Sequence, residues 1–195
     1  DTFFTKENAI KIGNIRKEIE AISQNDIEKN ILLCSLLYAV DKVANTVGHY
    51  DAFRRNLDLI QPVKLVIPNI NYTHNTNNKI YNENANTLIR KINCDVLYID
   101  PPYNSRQYSD AYHLLENLIE WKKPEVFGVA KKMNRDHIKS DYCLKNATEQ
   151  FQDLIKNASC KHILLSYNNT QDSKHGRSNA RMQDGDIIKI LKNKG

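Results

Sequence analysis

Val96-Leu97-Tyr98-Ile99-Asp100-Pro101-Pro102-Tyr103 joins an apolar, β-type run to an abrupt stop. The two prolines fix φ and remove two backbone donors, so strand pairing cannot continue past Asp100 and a rigid loop must follow. That loop holds a carboxylate, a backbone carbonyl and an aromatic ring in one arrangement at the carboxyl end of a strand. In open α/β sheets this is where ligands bind. The three groups suit the exocyclic amine of a nucleobase: the Asp100 carboxylate and Pro101 carbonyl can accept its two hydrogens, and Tyr103 offers a face for stacking. Accepting both hydrogens localises the nitrogen lone pair and aims it at an electrophile. Asp-Pro-Pro alone reads equally well as a strand-end turn beside a surface tyrosine. The full tetrapeptide behind an apolar strand is the more specific pattern.

Working outward, apolar residues before this stretch recur at helical spacing. Ile12, Ile15, Ile19 and Ile22 form one stripe of a helix beginning after Thr5. A second helix starts near Asn25 with Ile27, Ile31, Leu32, Leu36, Leu37, Val40 and Val43 and ends by Gly48, so the two are expected to pack as a hairpin. His49, Tyr50, Phe53, Arg54 and Arg55 mix rings with cations, a pattern shared by nucleic-acid contacts and ordinary helix surfaces. Residues 63–67 read as a short edge strand closed by Pro68, residues 69–78 as a polar loop, 79–82 as a short strand and 85–91 as a short helix.

Beyond the tetrapeptide, Asp110 is a candidate cap for a helix with Leu114, Leu115, Leu118 and Ile119, stopped at Pro124. Tyr112 and His113 at its start are expected to face the loop, with His113 structural rather than catalytic. Lys131, Lys132, Arg135 and Lys139 make residues 124–139 a basic connector. Asn146 and Glu149 read as a capping box for a helix bearing Phe151, Leu154 and Ile155. A strand over residues 162–167 follows, then a polar stretch over 169–184 expected to be mobile without DNA, and a final helix over 186–192.

The net charge of +5 and pI near 8.9 permit a polyanionic partner. Cys34, Cys94, Cys143 and Cys160 are scattered and no histidine stands at ligand spacing, which argues against a zinc site or a disulfide framework. No apolar run approaches the ~20 residues that cross a bilayer, and no signal-peptide pattern opens the chain.

The run Asp100-Pro101-Pro102-Tyr103-Asn104-Ser105-Arg106-Gln107-Tyr108, followed by Tyr112-His113-Leu114-Leu115-Glu116-Asn117, resembles the D12 class of adenine-N6 DNA methyltransferases of type II restriction-modification systems. Residues 2–8 and 41–46 resemble the same class, and aspartate in first place of the tetrapeptide is typical of its adenine-N6 chemistry. The resemblance implies an α/β, Rossmann-like S-adenosylmethionine-dependent methyltransferase core, partial here, with a helical insertion. Residues 1–78 would be a helical hairpin and connecting region with a DNA-contact role, and residues 79–195 the catalytic α/β part. It implies Asp100, Pro101, Pro102 and Tyr103 as catalytic residues, and Asn84 with Asp100 as cofactor contacts. The class has an acidic residue at the position of Asn84, where asparagine keeps an acceptor but no charge; a helix cap explains Asn84 equally well.

By the same resemblance, Tyr108, Ser166, Tyr167 and Asn168 would line the target-base pocket, and Arg106, Lys174, Arg177 and Arg181 would contact DNA. The implied methyl donor is S-adenosylmethionine, with no metal, and the implied partner is double-stranded DNA, with no membrane. A cognate restriction endonuclease would be linked in function but not bound, and the location would be cytoplasmic. Gly13, Gly48, Gly128, Gly176, Gly185 and Gly195 stand singly, so no glycine-rich loop is present to hold the methionine end of the donor. The chain is therefore expected to be the later part of an enzyme, inactive alone and binding S-adenosylmethionine weakly. Cytosine-N4 methylation, RNA-base methylation and a catalytically inactive DNA-binding fragment are the competing readings.

Overall fold

The computed structural model describes residues 3–56, 61–70, 77–168 and 179–195. It divides into two compact units: Asp1–Thr76 with Ser109–Arg135, and Asn77–Tyr108 with Asp136–Gly195. A single division at residue 78 therefore misplaces residues 109–135, which fold into the first unit because their apolar side chains complete its core.

Unit 1 is built on helices α1 (Lys6–Ile22) and α2 (Asp26–Val43). Each starts as its sequence dictates: Thr5 and Asn25 accept hydrogen bonds from the amides of Asn8 and Glu28. Ile12 and Ile19 are buried, as are Leu33, Leu36, Val40 and Val43. Ile22 and Ile27, at helix ends, are exposed, and α2 ends at Val43 rather than at Gly48, whose φ of 96° serves a later turn. Residues 63–67 form no strand. The Asn8 side chain accepts from the Val63 amide and donates to the Gln61 carbonyl, and the Ser35 hydroxyl donates to the Val66 carbonyl, so side chains take the backbone groups a ladder would need.

Tyr50 and Phe53 also turn inward, packing on Phe3 at ring-centroid distances of 5.5 and 5.6 Å. They are core residues rather than exposed stacking platforms. Beyond α4 (Tyr108–Ala111), helix α5 (His113–Glu120) joins the same core. Asp110 lies within α4 and binds Arg135, so it does not cap α5, and α5 ends four residues before Pro124, at Trp121 in the left-handed region. His113 is 1% exposed and donates through Nε2 to the Tyr50 carbonyl; burial holds its pKa below the usual imidazole value. It is a structural residue of this core. Three of the connector's four cations are paired: Lys132 with Asp51, Arg135 with Asp110, and Lys139 with Asp136.

Arg16, 2% exposed, caps the end of α5. Its Nε donates to the Leu118 carbonyl at 2.8 Å and Nη2 to the Ile119 carbonyl at 2.9 Å, while Nη1 pairs with Glu20. The guanidinium lies over the Trp121 ring, 5.3 Å from its centroid. Arg16→Met, which keeps an unbranched apolar stem, is expected to cost about 1–3 kcal/mol by leaving these carbonyls without donors. Urea denaturation measures it, and a loss under about 0.5 kcal/mol overturns the capping role.

Unit 2 carries the only strands among the described residues, β1 (Cys94–Ile99) and β2 (Cys160–Leu165), paired in parallel with Val96 opposite His162 and Tyr98 opposite Leu164. Residues 79–82, read as a strand from sequence, have no ladder partner and are exposed. Helices α3 (Ala85–Leu88), α6 (Ala147–Asn157) and α7 (Asp184–Lys192) surround the core. Ile99, Phe151, Leu154, Ile155, Met182 and Ile187 are buried there. The opposite face of the sheet is bare, with Val96, Tyr98 and Leu164 at 51%, 63% and 56% exposure. Asn146 stands at the start of α6 but makes no side-chain cap hydrogen bond, so the expected capping box does not form.

Candidate active site

The site grows from the carboxyl ends of the two strands. The Ser166 amide donates to the Ile99 carbonyl at 2.9 Å, so Asp100-Pro101-Pro102-Tyr103 leaves β1 beside Ser166-Tyr167-Asn168 leaving β2. The structure thus brings together the two elements singled out from sequence. Asp100 is exposed and its carboxylate has no hydrogen bond or ion pair among the described residues.

Six hydrogen bonds pin the loop behind it. The Tyr103 carbonyl accepts from the Tyr167 hydroxyl at 3.1 Å and from the Arg181 amide at 2.8 Å. Buried Asn104 accepts the Arg106 amide in a local turn. Buried Gln107 makes two hydrogen bonds to the backbone of Ser140, its Nε2 donating to the carbonyl at 3.0 Å and its Oε1 accepting from the amide at 2.7 Å. The Cys143 thiol donates to the Arg106 carbonyl. Asn104 and Gln107 lie in the run quoted for the resemblance, but Ser140 carries no motif signal, and its pairing with Gln107 depends on backbone groups brought close only by folding.

A cleft of 330 Å³ opens beside Asp100, between α3, the end of β1 and α6, lined by Leu88, Ile89, Ile92, Leu154, Pro101 and Tyr142 among others. Asn86 bolts one wall to the other: its Nδ2 donates to the Gln150 carbonyl and the Asp153 carboxylate, and its Oδ1 accepts from the Tyr142 hydroxyl. Arg90 and Asn86 hold the Asp153 carboxyl below the usual carboxylate pKa. Asn84 caps α3, its side-chain oxygen accepting from the amides of Asn86 and Thr87 at 2.9 and 3.2 Å. Only its amide donors remain free for a ligand.

Of the remaining candidates, Arg106 and Tyr108 are exposed, as are Ser166 and Asn168, while Tyr167 is half-buried. Arg181 lies against the Asp-Pro-Pro-Tyr loop through its backbone, with its Nε buried and unpartnered. Lys174 and Arg177, with most of the stretch expected to be mobile, lie outside the described residues. The described end of that stretch does possess an apolar anchor, since Met182 is fully buried in the core of unit 2. Among the described residues no helix is long and apolar enough to cross a membrane, and no group of three or more His, Cys, Asp or Glu side chains is placed to hold a metal ion.

A parallel strand pair thus carries the braced Asp-Pro-Pro-Tyr loop at its carboxyl edge, and comparison with known proteins gives the family of the chain. The chain belongs to the D12 class N6 adenine-specific DNA methyltransferase family, whose model matches residues 1–170. It is 39% identical over 173 residues to the modification methylase StsI of Streptococcus sanguinis, covering 86% of this chain and 26% of that protein. It is 37% identical over 200 residues to the type II methyltransferase M.FokI of Planomicrobium okeanokoites, covering 99% and 29%. With the type II methyltransferase M.NlaIII of Neisseria lactamica it shares 37% identity, covering 86% and 51%. The chain thus spans from about a quarter to about half the length of these relatives. No solved structure matches it significantly.

Proposed function

We propose that the intact protein methylates N6 of adenine within a short DNA site, as the modification enzyme of a type II restriction-modification system. Unit 2 is then part of a Rossmann-like core with Asp100–Tyr103 as its catalytic loop. The observation that carries this reading is the braced loop at the carboxyl edge of two parallel strands, with an unpaired Asp100 carboxylate, in a chain of the D12 family.

In this reading the target adenine leaves the duplex and stacks on Tyr103. Extrusion costs a few kcal/mol, of which stacking returns about 1–3. Asp100 and the Pro101 carbonyl accept the two N6 hydrogens, turn the lone pair toward the methyl group, and Asp100 stabilises the positive charge that develops on N6. Positioning and electrostatics supply most of the rate. S-adenosylmethionine, when bound, supplies a methyl group already activated by its sulfonium. The cleft beside Asp100 fits the flat base of such a donor: at 330 Å³ it stands near the lower end of the ~300–1,000 Å³ of small-molecule sites, and Leu88, Ile89 and Ile92 give it apolar walls. Arg106 and Arg181 on this face, with Lys174 and Arg177, contact DNA phosphates, and Tyr108, Ser166 and Asn168 border the base.

Expression of the intact gene in cells devoid of adenine methylation, followed by modification-sensitive sequencing of their DNA, tests the reading. The expected result is N6-methyladenine at one short motif. Methylation at cytosine N4, or none, overturns it.

A further inference from the structure

Tyr167 was expected to border the target base, yet its hydroxyl is fully committed elsewhere. It donates to the Tyr103 carbonyl at 3.1 Å and accepts from the amides of Met182 at 2.9 Å and Arg181 at 3.2 Å. One donor and two acceptor positions are all that a phenol has, so nothing remains for a ligand. The hydroxyl and one of its donors are fixed: Tyr167 follows Ser166, whose amide is tied to the Ile99 carbonyl, and Met182 is fully buried in the core. The acceptor, the Tyr103 carbonyl, belongs to the Asp-Pro-Pro-Tyr loop. The contact therefore ties the backbone of the stacking residue to the rigid frame of the unit, across 64 residues of sequence.

We propose that Tyr167 is a positioning residue for methyl transfer, its hydroxyl setting the orientation of the Asp-Pro-Pro-Tyr loop through the Tyr103 carbonyl. The proposal rests on the function proposed above. Burial raises the phenol pKa, which keeps the hydroxyl protonated and able to donate throughout the working pH range. Tyr103 retains the Arg181 amide when the hydroxyl is lost, so the loop loosens rather than unfolds. Misplacement of reacting groups by a fraction of an ångström to an ångström lowers turnover without weakening the bulk of DNA binding, which comes from phosphate contacts.

In the intact enzyme, Tyr167→Phe is expected to lower kcat roughly 10- to 100-fold with KM for DNA and for S-adenosylmethionine within about threefold. A second form, with a ring-fluorinated tyrosine at position 167 whose phenol ionises near neutrality, keeps the shape and the fold. Its kcat is expected to fall as the pH rises through that ionisation, because the phenolate cannot donate to the carbonyl, while the unmodified enzyme shows no such fall. Unchanged kcat in Tyr167→Phe with a flat pH profile for the fluorinated form, beside an active parent enzyme, overturns the positioning role alone. An inactive parent overturns the role together with the function on which it rests.

Discussion

Asp100→Ala in the intact enzyme is expected to lower methyl transfer by roughly 10²–10³-fold, the loss seen when one preorganised group facing developing charge is removed. Binding of DNA should stay close to that of the parent, because affinity comes mainly from phosphate contacts that Asp100 does not make. The structure makes this a clean experiment. Asp100 is exposed and unpaired among the described residues, so its removal breaks no hydrogen bond or ion pair among them. The prolines that shape the loop, the Gln107 bonds to Ser140 and the Tyr103 carbonyl bonds all remain. A variant retaining more than about a tenth of parental turnover, a barrier increase of only ~1.4 kcal/mol, would remove Asp100 from the reaction.

Phe151→Ala is expected to destabilise the protein by about 3–5 kcal/mol, the range for emptying a fully buried aromatic site. Phe151 has 0% exposure and lies among Ile99, Leu154, Ile155 and Met182. Domains possess only about 5–15 kcal/mol in total, so this one change brings unit 2 close to its unfolding threshold. Ile99 ends the strand that bears the loop, and Met182 fixes the segment that holds the Tyr103 carbonyl. Activity should therefore decline with the folded fraction. Urea titration followed by circular dichroism and by methyl transfer checks both; a loss under about 1 kcal/mol would mean that α6 does not pack as described.

Much of this was legible because the deciding signals are local. Thr5 and Asn25 cap helices with their own side chains, and the apolar run before Asp100 becomes a strand that the prolines stop. Phe151, Leu154 and Ile155 fall on the buried stripe of α6 as their spacing requires. Ser166-Tyr167-Asn168 does end a strand beside the loop. What escaped depends on groups distant in sequence. Val63 gives its amide to Asn8 rather than to a neighbouring strand, and Tyr50, a ring that suggests surface chemistry, lies in a core. Gln107 bonds the backbone of Ser140, 33 residues away, and Tyr167 presents its hydroxyl to a carbonyl rather than to a base. Such side-chain to backbone bonds have no periodicity to betray them.

Arg16 reaches across 102 residues to the end of α5, so the first unit cannot close its core until that helix exists. During synthesis, helices α1 and α2 must wait while β1 and the Asp-Pro-Pro-Tyr loop emerge. The two units then mature almost together rather than in succession. A chain stopped before residue 109 would own neither a finished first unit nor a second one. Exchange of unit 1 between relatives faces the same constraint: three junctions, at 76/77, 108/109 and 135/136, must all match, so recombination at a single point yields hybrids with Arg16 from one parent and its carbonyl partners from the other.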